Sequence, residues 1–125
     1  MAKIEEKFGE WEKVLKEAGL IGEDEVIERH TPGDYWNLTG QSRGNYFFTA
    51  DKMVFISGLG LESFAIRYAD MKEFKKCMIG MLLPTGIKVT AMDPKKGKLK
   101  KYKCSVMKRG QWMDYLYEKT GLTKA

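Results

Sequence analysis

Cysteine, histidine and proline are all scarce in this chain. Its 125 residues hold two cysteines, one histidine and three prolines. Cys77 and Cys104 are too few for a disulfide framework and lack the CxxC spacing of a zinc or redox site. They are expected as small buried hydrophobes, reduced in the absence of a secretion signal. The lone His30 falls on an expected strand, where such a residue is structural or solvated rather than a base, and no sequence neighbour makes a catalytic pair with it. Apolar residues make up 43% and charged residues 31%, which excludes a disordered, collagenous or low-complexity chain. No apolar run approaches the ~20 residues needed to cross a bilayer. The opening MAKIEEKFGEWEK is charged where a signal peptide needs an apolar stretch. These absences predict a soluble cytoplasmic protein without a transmembrane segment. The length fits one domain of about 100–150 residues.

Catalytic and metal motifs are missing too. There is no HExxH, no nucleophile elbow and no phosphate-cradling glycine loop. Gly58-Leu59-Gly60 is followed by Leu-Glu-Ser-Phe and reads as a turn. Paired carboxylates occur mainly at Glu5/Glu6 and in Glu23-Asp24-Glu25, where solvated helix faces and loops are expected. The chain is therefore read as non-catalytic, with no cofactor and no metal.

Charge is present but unevenly spread. Residues 1–34 carry 5 Lys/Arg against 10 Asp/Glu, whereas residues 86–125 carry 11 against 3. Such polarity predicts one basic face, which attracts phosphates on lipid or nucleic acid, or an acidic protein.

Periodicity divides the chain into a helix, a run of strands and a second helix. Ile4, Phe8, Trp11, Leu15 and Ala18 recur at helical spacing, with Gly19 as the stop. The polar side of this helix is mostly Glu, unlike a membrane-surface helix. Glu25 to Thr31 reads as a strand, Pro32-Gly33-Asp34 as a break, Tyr35 to Thr39 as its continuation, and Gly40 to Gly44 as a loop. Asn45–Thr49 and Lys52–Ser57 form a hairpin, followed by strands at Glu62–Tyr68 and Lys76–Leu83 with a turn at 69–74 between them. Pro84-Thr85-Gly86 is expected to turn into Ile87–Met92, and Asp93-Pro94-Lys95-Lys96-Gly97 into the strand Leu99–Met107. Trp112, Met113, Leu116 and Tyr117 mark one face of the closing helix. The expected organisation is one domain over 1–125: an extra helix at 1–19, strands over 24–109 and a C-terminal helix at 110–121.

Seven antiparallel strands closed by a C-terminal helix resemble the pleckstrin-homology (PH)-like superfold. Gly44-Asn45-Tyr46-Phe47-Phe48-Thr49-Ala50-Asp51-Lys52-Met53-Val54-Phe55 is similar to the second-and-third-strand hairpin of GRAM and bacterial PH domains. Phe64-Ala65-Ile66-Arg67-Tyr68-Ala69-Asp70-Met71 is similar to the family's Ile-x-Tyr-x-Asp-Ile segment. The resemblance covers roughly residues 24–121 and leaves the first helix outside. It implies a mainly β, α+β fold: a seven-stranded antiparallel sandwich or barrel with a capping helix. Phosphoinositide-binding PH domains carry a lysine-rich first strand and first loop. Thr31 to Gly44 departs from that pattern and offers only Arg43.

Two candidate sites follow. Lys95, Lys96, Lys98, Lys100, Lys101 and Lys103 span the sixth-to-seventh hairpin, with Lys101 and Lys103 on one face and Tyr102, Cys104 and Val106 on the other. This set is an anion- or membrane-binding candidate, though lysines also serve to blunt a sheet edge. Several strands are apolar on both faces, and a small sandwich needs only one. Phe8, Trp11 and Leu15 are the expected cover for part of the surplus. The remainder is an interface candidate for another protein or a second copy in a homo-oligomer. The functional expectation is a binding or scaffold module that engages a protein partner or an anionic lipid surface. A basic β-domain for nucleic acid and a small-ligand carrier are the alternatives. The first of these wants aromatics interleaved with the lysines, and the second wants polar anchors inside the barrel.

Overall fold

The computed structural model describes residues 2–37, 40–58, 60, 62–79 and 83–122. Helix α1 (Ala2–Glu17) precedes seven strands: β1 (Arg29–Asn37), β2 (Gly40–Phe48), β3 (Lys52–Ser57), β4 (Ser63–Arg67), β5 (Met71–Ile79), β6 (Leu83–Asp93) and β7 (Lys98–Val106). Helix α2 (Arg109–Thr120) follows. All seven strands belong to one antiparallel sheet, in the order β4-β3-β2-β1-β7-β6-β5.

The sheet curls around an apolar interior to which every strand contributes. Tyr35, Tyr46, Phe55, Ile66, Phe74, Val89 and Cys104 are among the residues buried there. Helix α2 closes one end. Its Trp112 stacks on Phe48 with ring centroids 4.7 Å apart, and Met113 and Leu116 are buried beside it. Arg109 Nη1 donates to the carbonyls of Cys77 and Gly86 at 3.1 and 3.3 Å, which fixes the start of α2 over β5 and β6.

β2 and β3 also bury their outer faces. Phe47, Val54 and Ile56 point away from the interior and form a second core with Leu15, Ile21 and Ile27. Helix α1 supplies the cover. Leu15 is 0% exposed, and the Trp11 ring lies 5.1 Å from that of Phe47. Phe8 is half-buried against the same cluster. Glu12 Oε2 accepts the Ile27 N–H at 2.8 Å, so the loop after α1 is pinned back to the helix. Ala18 lies past the last turn of α1 and is exposed, contrary to its place in the expected stripe. The side chains of Ile4, Met81 and Leu82 lie outside the described residues.

The strand boundaries depart from the sequence expectation at five places. Glu25 to Glu28 is not strand, and β1 begins only at Arg29. Pro32-Gly33-Asp34 does not break β1, and Gly40 to Gly44 is not a loop but the first half of β2. Gly33 and Gly44 face each other there because a side chain would not fit. A Cβ on Gly33 would lie 2.6 Å from the Ser105 carbonyl oxygen, and one on Gly44 would lie 2.2 Å from that of Ile56. Glycine thus marks a close backbone approach, one of its regular uses in strands. Pro32 sits one residue before β1 begins to pair with β7, where its missing N–H costs nothing on that side. The expected turn at 69–74 shrinks to a 3-10 turn over Tyr68–Asp70, and β5 already starts at Met71. Pro84-Thr85-Gly86 lies within β6, with Gly86 paired to both Cys77 and Ser105.

Candidate functional site

The hairpin of β6 and β7 is built to present its tip. Its ladder runs unbroken from Gly86↔Ser105 to Asp93↔Lys98. Asp93 Oδ1 accepts the backbone N–H groups of Lys95 and Lys96 at 2.9 and 3.3 Å. The Gly97 N–H donates to the Asp93 carbonyl at 2.7 Å, with Gly97 at φ +64, a conformation that favours glycine. This side-chain-to-backbone turn is the one Asp and Gly ordinarily make. β1 pairs with β7 only from Gly33↔Val106 to Trp36↔Lys103. Residues 98–101 therefore run on past that contact.

The six lysines expected to act together divide into two groups. Lys95, Lys96, Lys98 and Lys100 are exposed at and near the tip. Leu99 lies among them and is 58% exposed. Lys100 Nζ lies 4.9 Å from the centre of the Tyr102 ring, a cation–π contact at the mouth of the barrel. Behind the tip, Arg67 and Asp70 pair at 3.0 Å and border a cleft of about 270 Å³ with Asp93 and Lys95.

Lys101 and Lys103 belong to the outer face of the sheet. Tyr102, Cys104 and Val106 alternate with them into the core, Tyr102 being 9% exposed. Register places Lys103 opposite Lys88 on β6 and opposite Trp36 on β1, and Lys88 opposite Lys75 on β5. Trp36, Lys88, Lys101 and Lys103, together with Lys100 of the tip group, border an open depression of about 780 Å³, at whose rim Glu62 accepts a hydrogen bond from Asn37 at 3.1 Å. The Trp36 indole Nε1 is buried and has no hydrogen-bond partner. Sequence reading passes over Lys75, Lys88 and Trp36, because they lie far apart in the chain. Only the strand register joins them. The composition signal that could have pointed to Trp36 is the pairing of an aromatic with lysines, and it is invisible without that register.

Phe8, Trp11 and Leu15 pack on the chain's own β2 and β3, so their apolar surface is spent within the molecule. Arg43 stands on β2 opposite Asp34 of β1 and is exposed. His30 is held in place: its Nε2 lies 2.8 Å from Asn45 Oδ1, and its ring stacks on Phe47 at 4.9 Å. Burial pushes the Cys104 thiol up to about 12, which keeps it protonated and a poor nucleophile. Cys77 is half-buried. Burial likewise raises the Tyr46 hydroxyl, which donates to the Asp34 carbonyl at 2.7 Å. Among the described residues no three His, Cys, Asp or Glu side chains gather as a metal site. The space among Tyr46, Phe48, Ile87, Cys104 and Leu116 measures about 10 Å³, no more than one water requires. Side chains fill the interior there. No described helix is long and apolar enough to cross a membrane.

No family model matches the chain, and no curated protein matches it. Solved structures do. The C-terminal domain of an unknown protein from Leishmania infantum superposes with a TM-score of 0.70 at 17% identity, over 91% of this chain and 97% of that one. The Vps36 N-terminal PH domain gives 0.58 at 14% identity, over 82% and 83%. The Slm1 PH domain, solved with inositol-4-phosphate, gives 0.55 at 8% identity, over 79% and 99%. At these identities the likeness concerns the fold, and the fold of this chain is PH-like.

Proposed function

We propose that the chain is a non-catalytic binding module of the GRAM or bacterial PH kind, which docks on an anionic membrane surface in the cytoplasm through its β6–β7 hairpin. The observation that carries this reading is the hairpin tip. A turn ordered by Asp93 holds Lys95, Lys96, Lys98 and Lys100 in solvent around a leucine that is 58% exposed. Lysines near an anionic bilayer contribute about 1 kcal/mol each, so four amount to roughly a thousandfold in partitioning. Leu99 adds an apolar side chain that lowers its free energy by entering the headgroup region. The Slm1 neighbour, solved with an inositol phosphate, supports an anionic partner for this type of fold. The filled interior and the buried, protonated Cys104 support a binding rather than a chemical role.

Flotation with phosphatidylserine-containing and neutral vesicles tests the reading. The chain should float with the anionic vesicles only, and less so as salt rises, because exposed charges are screened. Replacing Lys95, Lys96, Lys98 and Lys100 together by Gln should abolish flotation. Equal binding to neutral vesicles, or flotation unchanged in that variant, overturns it. No flotation at all leaves a protein partner as the reading to pursue. Displacement by single-stranded RNA at equal charge would favour nucleic acid.

A further inference from the structure

Helix α1 and the bare outer face of the sheet carry opposite charge, and nothing within one copy brings them together. On the outer face, Lys75, Lys88 and Lys103 stand directly opposite one another on β5, β6 and β7. Lys75 lies 3.7 Å from Glu73, whereas Lys88 and Lys103 have no ion pair among the described residues. Both are half-buried, and a lysine in that setting rests its apolar stem on the protein while its ammonium group stays in water. Helix α1 turns a different chemistry outward. Phe8, Trp11 and Leu15 face the second core, and Glu10, Val14 and Glu17 form an exposed stripe at spacings of four and three. Val14, midway along it, is 42% exposed. Glu10 and Glu17 have no ion pair among the described residues, and Lys13 is the exposed base beside them. The helix lies over β2 and β3, the other half of the curled sheet, with the interior core between it and the lysines. The two charged faces therefore look away from each other, and no copy neutralises its lysines with its own helix.

We infer that α1 of one copy docks across β5, β6 and β7 of a second copy, with Glu10 and Glu17 pairing with the lysine row and Val14 resting on the lysine stems between them. The dimensions agree. Adjacent strands lie about 4.8 Å apart, so Lys75 and Lys103 are separated by about 10 Å. Seven residues of helix, from Glu10 to Glu17, rise about 10.5 Å. A helix laid across the strands thus sets one carboxylate over each end of the row and the valine over Lys88. Charge alone would suit any acidic surface, whereas the matched lengths and the apolar residue midway select this helix. Helix and sheet are different patches, so the contact is heterologous and repeats: every copy added leaves a free helix at one end and a free lysine face at the other. One helix on a sheet falls short of the ~1,000 Å² of a stable interface, and exposed ion pairs are individually weak. Association is therefore expected near about 1 mM protein. The contact leaves the hairpin tip free and does not rest on the membrane reading given above.

Light scattering of the whole chain at about 1 mM should give an average mass that rises with concentration in about 0.01 M salt and falls to that of one copy in about 1 M, where screening is complete within about 3 Å. Glu10→Lys with Glu17→Lys, and separately Lys88→Glu with Lys103→Glu, should each weaken association about tenfold or more. Mixed in equal amounts, the two variants should associate about as well as the parent chain, because each offers the face that the other lacks. Circular dichroism confirms that each is folded, and Lys88→Met with Lys103→Met replaces the second should the glutamates unfold it. Both charge-reversed variants keep Lys95, Lys96, Lys98 and Lys100, so they should still float with anionic vesicles. Replacing those four by Gln should leave self-association intact, so the two readings fail separately. A single-copy mass at every concentration in low salt, association that ignores salt, a mixture no larger than its separate components, or growth that stops at two copies overturns the inference. Binding of polyglutamate to the lysine face without self-association would assign that face to another acidic protein and overturns it as well.

Discussion

The two halves of the sheet solve the problem of their outer faces in opposite ways. β2 and β3 are apolar outside as well as inside, and α1 closes over Phe47, Val54 and Ile56. β5, β6 and β7 have no helix on the outside and carry Lys75, Lys88, Lys101 and Lys103 there. The difference shows which half is committed. On the covered half, Phe47, Val54 and Ile56 are buried under α1 and the loop that follows it, so that surface is structural. On the bare half, Lys88 and Lys103 stand directly opposite each other with no ion pair among the described residues, a cost that packing does not remove.

Breaking the cover should produce the largest effect. Leu15 is fully buried between α1 and the second core. Leu15→Ala removes its buried methyl groups and leaves a cavity, and is expected to lower stability by about 3 kcal/mol. Urea denaturation followed by circular dichroism measures it. A cost below about 1 kcal/mol would place α1 as a loose appendage and remove the contrast between the halves.

The seam between the halves should come next. Gly33 and Gly44 face each other across β1 and β2, at the point where β1 starts to pair with β7 and β2 starts to pair with β3. Gly44→Ala places a Cβ 2.2 Å from the backbone oxygen of Ile56, which has no flexible end to give way. The strands must separate locally, at a cost of about 2 kcal/mol, in the range of overpacked sites. An equal cost for Gly110→Ala, in α2 with nothing within 4 Å of a Cβ, would refute the steric account.

What the sequence shows of this architecture follows the same division. The hairpin from Asn45 to Ser57 is legible because each strand alternates and the turn is local: Thr49 Oγ1 accepts the Asp51 and Lys52 N–H groups. The stripe of Phe8, Trp11 and Leu15 is legible because helical spacing is a local property. Gly33, Gly44 and the Pro84–Gly86 segment mislead, since glycine and proline punctuate loops as a rule and here serve close approaches and pairing limits set by distant strands. The lysines at the tip stand in a row in the chain and can be read there. The row of Lys75, Lys88, Lys103 and Trp36 exists only across strands, and no window along the chain contains it.

The smallest effect sharpens the comparison most, because its sign is opposite to the others. Truncation on the covered half destabilises, whereas removing charge from the bare half should stabilise. Lys88→Met with Lys103→Met abolishes one directly opposed pair of ammonium groups, which is worth about 0.2–1 kcal/mol in a sheet. This variant should therefore unfold at a slightly higher urea concentration than the parent chain in low salt. The gain has an internal control. At about 1 M salt the screening length falls to about 3 Å, and charges at cross-strand distance no longer repel. The advantage of the variant should then vanish, while the cost of Leu15→Ala, which is a matter of packing, should persist. If the variant is destabilised in low salt, or its advantage ignores salt, then the opposed charges of Lys88 and Lys103 cost the fold nothing, and the contrast between the two halves falls.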